Sequence, residues 1–432
     1  MQSLSMMWRG VVLFTLVFAS VAACAEETSP PESTDPPMVR SELTRNLTPA
    51  AVPADVAAVA RDGYAVDLDL YRVLGTTEDN FLVSSLSIRL AFALAYAGAV
   101  GDTATEMAQV LRFGADPTAF HSAMNALDLA LAARNLPAAG EQGAVELMMV
   151  NTFWGQEGRA WLPAYLDVIA VNYGAGIAPI DFKVDPDAAR QRINTQVAQE
   201  TRQRIQNLLP EGSITTDTEA VLTNTLFLKA PWKELFDPEG TGPAPFVRLD
   251  GSTVTADFMN ALHFVGYAEG PGWQAMAKPL RGGQLQMVFL MPTEDFLAFA
   301  AALTAEQIAS VLGALTTREV MLSVPKFTFE TSFSLKSALE ALGMTVPFSD
   351  LADFSAMLVA PPLFISNAFH KTFIAVDEGG VEAAAATAVV MDGRGIPEPE
   401  AVFVAERPFF FMIHDSESGA VLFFGQVIDP TA

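Results

Sequence analysis

Apolar residues recur at helical spacing through DVAAVARDGYAVDLDLYRVL (55–74), SSLSIRLAFALAYAGAV (84–100), TATEMAQVLRF (103–113) and MNALDLALAARNL (124–136). Each window carries an apolar stripe that returns about every 3.6 residues, so a helix is predicted over each. Further along, the texture changes. AVELMMVNTFW (144–154), AVLTNTLFLKA (220–230), LQMVFLMP (285–292), VMLSVPKFTF (320–329) and AVLFFGQVI (420–428) are short, dense apolar runs that read as strands. Helices early and mainly antiparallel strands later predict a mixed α+β fold. No internal repeat and no Pro/Gly-rich break follows residue 56, so 56–432 reads as one domain.

One stretch fits neither texture. VDEGGVEAAAATAVVMDGRG (376–395) opens on acid and two glycines, runs through small uncharged residues, and ends on an arginine between glycines. Alanine favours helix, but Thr387, Val389 and Val390 favour strand, and no polar face repeats at helical spacing. The amino terminus is also distinct. Arg9 precedes an apolar run, Val11–Ala23, that is too short to span a bilayer and reads as a secretory signal over 1–23. It ends Val21-Ala22-Ala23-Cys24, which resembles the bacterial lipobox, with Cys24 as the lipidated residue. The alternative is an ordinary signal peptide cleaved nearby. Residues 24–55, rich in Pro, Ser, Thr and Glu, read as a disordered tether.

Composition removes several function classes. The chain of 432 residues is 51% hydrophobic, enough for a large core, and its net charge is −25 without a basic cluster. Nucleic acid, polyanions and anionic membrane surfaces are therefore poor partners. A single cysteine excludes a disulfide framework. The four histidines, His121, His263, His370 and His414, form no H-x-x-H or H-E-x-x-H pair, so no metal site is nominated. No G-x-S-x-G elbow, P-loop or G-x-G-x-x-G occurs, and no enzyme chemistry or cofactor is expected. His370, in SNAFHKTF, reads as a satisfied interior histidine rather than a base.

Glu378-Gly379-Gly380-Val381-Glu382-Ala383-Ala384-Ala385-Ala386-Thr387 resembles the hinge of inhibitory serpins, E-E-G-T-E-A-A-A-A-T. Further motifs follow in the order of that serine protease inhibitor family. Asn80-Phe81-Leu82-Val83-Ser84-Ser85-Leu86-Ser87-Ile88 is similar to N-x-x-x-S-P-x-S-I, with Ser85 in place of Pro. Asn224-Thr225-Leu226-Phe227-Leu228-Lys229-Ala230-Pro231-Trp232 is similar to N-A-x-x-F-K-G-x-W. Val324-Pro325-Lys326-Phe327, Leu342-Gly343-Met344, Asp353-Phe354-Ser355 and Phe369-His370-Lys371 complete the order. The closing Phe403-Val404-Ala405-Glu406-Arg407-Pro408-Phe409 departs only at Glu406, where Asp, Asn or Gln is usual. The resemblance covers nearly all of 56–430, and departures such as Gln196 leave it intact.

The resemblance implies helices around three β-sheets and an exposed reactive loop that can slide into the central sheet as a strand. The residues suit that use. Val381, Ala383, Ala385, Thr387, Val389 and Met391 would face the core, all uncharged, and no proline interrupts 381–396. By resemblance, Ser84, Ser87, Asn224 and His370 form a hydrogen-bonded shutter, while Trp232 and a Lys326–Glu378 ion pair close the breach where the loop enters. In inhibitory members of the family the scissile bond follows the seventeenth residue counted from the hinge Glu; counted from Glu378 that residue is Arg394, so the resemblance implies Arg394-Gly395 as the reactive bond. An arginine there suits the acidic pocket of a trypsin-like serine protease. The implied partner is such a protease, held as a covalent acyl complex by a monomer exported to the cell envelope. A non-inhibitory surface binding protein or a passive protease substrate is the alternative.

Overall fold

The computed structural model describes residues 37–139, 143–358, 363–382 and 399–432. The signal, Cys24, Ala383–Thr387, Arg394 and Gly395 lie outside the described residues. Nine α-helices are found among those described: α1 (Pro53–Leu74), α2 (Ser85–Tyr96), α3 (Gly101–Val110), α4 (Pro117–Ala132), α5 (Pro163–Tyr173), α6 (Pro186–Glu200), α7 (Phe296–Ala302), α8 (Ala305–Ala314) and α9 (Leu335–Ala341). The first eight strands are β1 (Phe81–Val83), β2 (Glu146–Gln156), β3 (Ile177–Ile180), β4 (Ala220–Pro231), β5 (Gly242–Val247), β6 (Thr253–Gly270), β7 (Trp273–Pro279) and β8 (Leu285–Pro292). The rest are β9 (Thr316–Pro325), β10 (Phe327–Ser334), β11 (Asn367–Asp377), β12 (Gly380–Val381), β13 (Ala401–Val404), β14 (Phe409–Asp415) and β15 (Val421–Val427).

The α+β class is as predicted, and the densest apolar runs form the centre. Every residue of β14 and β15 is buried, and β4 is buried at all but one position. Strands covered on both faces lose the alternation of a half-exposed strand, which is why these runs were continuous in the sequence. A six-stranded sheet has the order β10-β11-β12-β4-β2-β3. The other strands join in one sheet of nine, β1-β15-β14-β8-β7-β6-β9-β13, with β5 paired to β6. Among the described residues two hydrogen-bonded sheets thus stand where three were expected. The reason is the length of β6, whose 18 residues pair in turn with β5, β9 and β7 and so fuse two of the expected sheets.

Three boundaries differ from expectation. The single strand predicted over 320–329 is two, β9 and β10, in different sheets. Pro325 has no N–H to donate, the Lys326 N–H still donates to Asp257 O of β6 at 2.9 Å, and from Phe327 the chain pairs with β11 instead. Helix α4 starts at Pro117, earlier than 124, because the Asp116 carboxylate caps the N–H groups of Thr118 and Ala119. Within the segment expected as a tether over 24–55, residues 37–55 are placed against the fold or in α1. Val39 bridges Ile177 of β3, the Asn46 N–H donates to Val171 O at 2.8 Å, and Arg45 reaches Asn125 at 2.9 Å and Asp128 at 2.6 Å. Composition marked this segment as poor in core formers, but its polar groups are used as hydrogen-bond anchors.

Candidate functional site

The six-stranded sheet is split. Parallel β4 and β11 pair from Val221↔Asn367 to Thr225↔Lys371, and no pairing between them is found beyond that point. At their far ends β12 lies between them, antiparallel to both: Val381 sits opposite Val376 and Ala230, and Gly380 opposite Asp377 and Pro231. Thr372–Ala375 and Leu226–Lys229 flank the gap between wedge and seam. The hinge residues Gly380 and Val381 are therefore already in the sheet, with Val381 2% exposed.

The sequence builds this wedge locally. Asp377 Oδ1 accepts from the N–H groups of Gly379 (2.8 Å) and Gly380 (3.2 Å), which folds β11 back on itself. Gly380 has φ +145°, and a Cβ there would lie 2.3 Å from Ala230 O, so only glycine fits. Glu382 ends the wedge. Its N–H donates to Ala375 O at 2.8 Å, but its φ of +50° turns the chain out of the strand. Its side chain is 3% exposed, its carboxylate oxygens have no hydrogen-bond partner, and Arg204 Nε stands 3.5 Å away. Burial, opposed by Arg204 and Lys229, pushes the Glu382 carboxyl up to about 7.

Above the wedge the predicted breach residues meet. Trp232 donates from Nε1 to Asp377 O at 2.8 Å and from its backbone to Gly379 O at 3.0 Å. Lys326 Nζ lies 3.0 Å from Glu378 Oε2, and the Thr241 hydroxyl donates to Glu378 Oε1 at 2.8 Å. Partial burial works against the Glu378 carboxylate, but its own backbone N–H, Lys326 and Thr241 hold its pKa below the ordinary value. One contributor was not foreseen. Lys278 Nζ lies 4.4 Å from the Phe236 ring centre and 2.7 Å from His263 Nδ1, beneath Trp232. Burial lowers Lys278 to about 7, and burial together with Lys278 lowers His263 to about 3.

Below the wedge, the four predicted shutter residues form one buried cluster across the seam. His370 and Asn224 are direct register partners. The Ser84 N–H donates to His370 Nε2 at 3.1 Å, so Nδ1 carries the ring proton and donates to Asn224 Oδ1 at 2.7 Å. Burial holds His370 neutral by lowering its pKa to about 3. Asn224 Nδ2 donates to the Ser87 hydroxyl and to Asn151 Oδ1. Ser84 also caps α2 by accepting from the Ser87 N–H at 3.2 Å. Asn151 on β2 escaped the sequence reading, as did Thr331 and Thr372, whose hydroxyls both donate to Leu82 O. Ser85, standing where proline was expected, donates its N–H to Asp67 Oδ1 at 3.0 Å, a bond proline could not make. Burial raises Asp67 to about 7.

The other histidines do not join this cluster: His121 contacts Tyr173, and His414 contacts Gln286. Among the described residues no group of three or more His, Cys, Asp or Glu side chains could hold a metal ion. The arrangement suits the movement of a strand. It has an occupied entry above, an unpaired gap in the middle, and a polar clasp below.

Comparison with known proteins gives a consistent answer. A family model described as Serpin (serine protease inhibitor) matches residues 64–430. The chain is 33% identical to Antithrombin-III of Mus musculus over 365 residues, covering 82% of this chain and 77% of that one. It is 31% identical over 434 residues to an uncharacterized serpin-like protein of Thermococcus kodakarensis, covering 98% and 99%. The native-state crystal structure of tengpin, a thermophilic serpin, is similar with a TM-score of 0.78 at 25% identity, covering 90% of this chain and 97% of that one.

Proposed function

The chain belongs to the serpin family, and from that premise we propose that it is a suicide inhibitor of trypsin-like serine proteases, attacked at Arg394-Gly395. The observation that carries this reading is β12, held between two parallel strands that pair only at their other end. A sheet in this state has a direction in which it can accept more chain. If the β12 register continues without a bulge, Ala383 comes opposite Ile374 and Leu228, and Ala385 opposite Thr372 and Leu226. Thr387 then comes opposite both His370 and Asn224, and Val389 opposite Ala368 and Leu222. All eight flanking residues are buried, so the small uncharged residues of the hinge match the room available.

The covalent step belongs to the protease. Its serine oxygen attacks the Arg394 carbonyl, the Arg394-Gly395 bond breaks, and the Gly395 amine leaves with a proton. Arg394 remains as an ester. Insertion from Val381 to Arg394 then carries the ester to a point thirteen strand steps, roughly 43 Å, along the sheet from Val381, before water completes hydrolysis. The clasp sets the barrier, because β4 and β11 must separate at His370 and Asn224 before Thr387 can enter. The native form is then kinetically held.

The leader supports a second part of the reading: export, followed by lipid anchoring through Cys24 at the cell envelope, with the inhibitor a monomer. Incubation of the full chain with trypsin tests the inhibitory function. An adduct that survives SDS, accompanied by a released peptide beginning at Gly395, is expected. Complete cleavage with active trypsin left over would make the chain a passive substrate, and no cleavage would make it a non-inhibitory member.

A further inference from the structure

Strand β7 carries one charged side chain, Lys278, and it is 1% exposed. A lysine is almost never buried so deeply without an acid to pair with. Here, among the described residues, no carboxylate comes within ion-pair distance of its amine. Nζ lies 2.7 Å from His263 Nδ1 on β6, and Glu234 stands on the far side of that ring, 3.5 Å from His263 Nε2. The other walls are aromatic. The ring centre of Phe236 is 4.4 Å from Nζ and that of Trp232 is 5.6 Å away, and the two rings meet edge to face. Both are buried, so together they roof the amine. The same two residues also hold the hinge. The Trp232 N–H donates to Gly379 O at 3.0 Å, its Nε1 to Asp377 O at 2.8 Å, and the Phe236 N–H to Glu378 O at 3.1 Å. Three successive carbonyls of the turn that feeds β12 are thus fixed by the residues that cover Lys278.

We propose that Lys278 is a positioning residue for the reactive loop: its amine is the floor on which Trp232 and Phe236 hold the turn 377–379, and β12 leaves the sheet only by uncovering it. The proposal rests on the inhibitor reading for what the wedge is for, while the contacts that carry it belong to the described fold. Release of β12 then brings water to the amine, which takes up a proton. Burial lowers the docked Lys278 from 10.5 to about 7, with Glu234 acting the other way. A lysine lowered in this way favours the docked state only when neutral. Its penalty on docking is therefore full below about 7 and is relieved as pH rises toward 10.5. The other charged groups near the box are Lys233 beside Trp232, and Asp377, Glu378 and Lys326 at the turn. His263 is lowered to about 3, and Glu382, raised to about 7, acts in the opposite sense, so neither slows release above pH 7.

Pulse-labelled hydrogen exchange at the Val381 and Glu382 amides, corrected for intrinsic rates, reads release of β12 in the full chain with no protease present. Wild type should release the wedge about tenfold less at pH 9 than at pH 7. Lys278→Met keeps the length of the side chain without the amine. It should release less than wild type at pH 7 and show no fall between the two pH values. Equal pH slopes in wild type and Lys278→Met overturn the proposal, as does faster release in Lys278→Met at both pH values. A measurement on wild type alone decides the matter should the variant fail to fold. NMR of protein labelled with 13C at lysine Cε should show one lysine titrating near 7, and the absence of such a lysine overturns the proposal. Failure of the inhibitor reading is seen separately, as no SDS-stable adduct with active trypsin whatever the exchange shows.

Discussion

Replacing Thr387 by valine should leave the native protein untouched and weaken only the inserted form. In the native sheet His370 and Asn224 satisfy each other across the seam at 2.7 Å. An inserted strand would move β4 and β11 to about 10 Å apart, twice the ordinary strand spacing, and that bond could not persist. The continued register puts Thr387 between them, where one hydroxyl can accept from His370 Nδ1 and donate to Asn224 Oδ1. Valine has the shape without the hydroxyl. Both polar groups are then buried without a partner, at about 1–3 kcal/mol each, so the inserted form loses about 2–6 kcal/mol. Guanidinium denaturation of the uncleaved protein and of the loop-cleaved protein separates the two states. Thr387→Val should lower the midpoint of the cleaved form alone, and Thr387→Ser should restore it. Equal midpoints for wild-type and Thr387→Val cleaved protein, or an equal loss in the uncleaved form, would refute the register.

His370→Ala removes the seam bond from the native state and strands Asn224 Oδ1, so native gels after mild heating should show earlier loss of monomer to latent or polymeric forms; wild-type behaviour would contradict the clasp. Docking of the hinge should depend on pH through Glu382, whose carboxyl rises from 4.5 to about 7 when buried in the sheet. A raised acid favours its protonated form, so docking is strongest below the ordinary value of 4.5 and is lost progressively as pH rises to about 7. Hydrogen exchange at the β12 amides, corrected for intrinsic rates, should therefore quicken between pH 5 and pH 8 in wild type and not in Glu382→Gln; matching slopes would contradict this. Cys24→Ser should move the protein out of the membrane fraction and abolish lipid labelling, and an unchanged distribution would remove the anchor.

How much was legible follows from where each residue finds its partner. The all-apolar runs of β4, β14 and β15 announced themselves, because strands covered on both faces need no polar alternation. The break between β9 and β10 was hidden, since an apolar run through Val-Pro-Lys-Phe does not tell which sheet each half joins. Ser84, Ser87, Asn224 and His370 came from family resemblance alone, and the structure adds the relay that links them. Asn151, Thr331 and Thr372 could not be nominated in this way. A lone polar residue on a strand resembles an outward-facing one, and its partner is 73 residues away for Asn151 and 290 for Thr372. Lys278 was similarly silent, a single lysine in WQAMAKP whose burial depends on Trp232 and Phe236 from another strand and loop. The docked segment 37–52 shows the reverse error, in which composition suggested freedom while Arg45 and Asn46 made specific bonds.

The central claim is that insertion of the hinge, rather than cleavage itself, traps the protease. Ala385→Arg separates the two, because the register sets this residue between Thr372 and Leu226, which are 0% and 1% exposed. A guanidinium cannot be buried there without a partner, whereas Arg394-Gly395 remains open to attack. SDS gels with trypsin, read together with mass spectrometry of the released peptide, decide the matter. The account predicts a stable adduct from wild type, cleavage without adduct from Ala385→Arg, and a peptide beginning at Gly395 from both. A stable adduct from Ala385→Arg would contradict insertion as the trap, and a peptide beginning elsewhere would contradict the assigned bond.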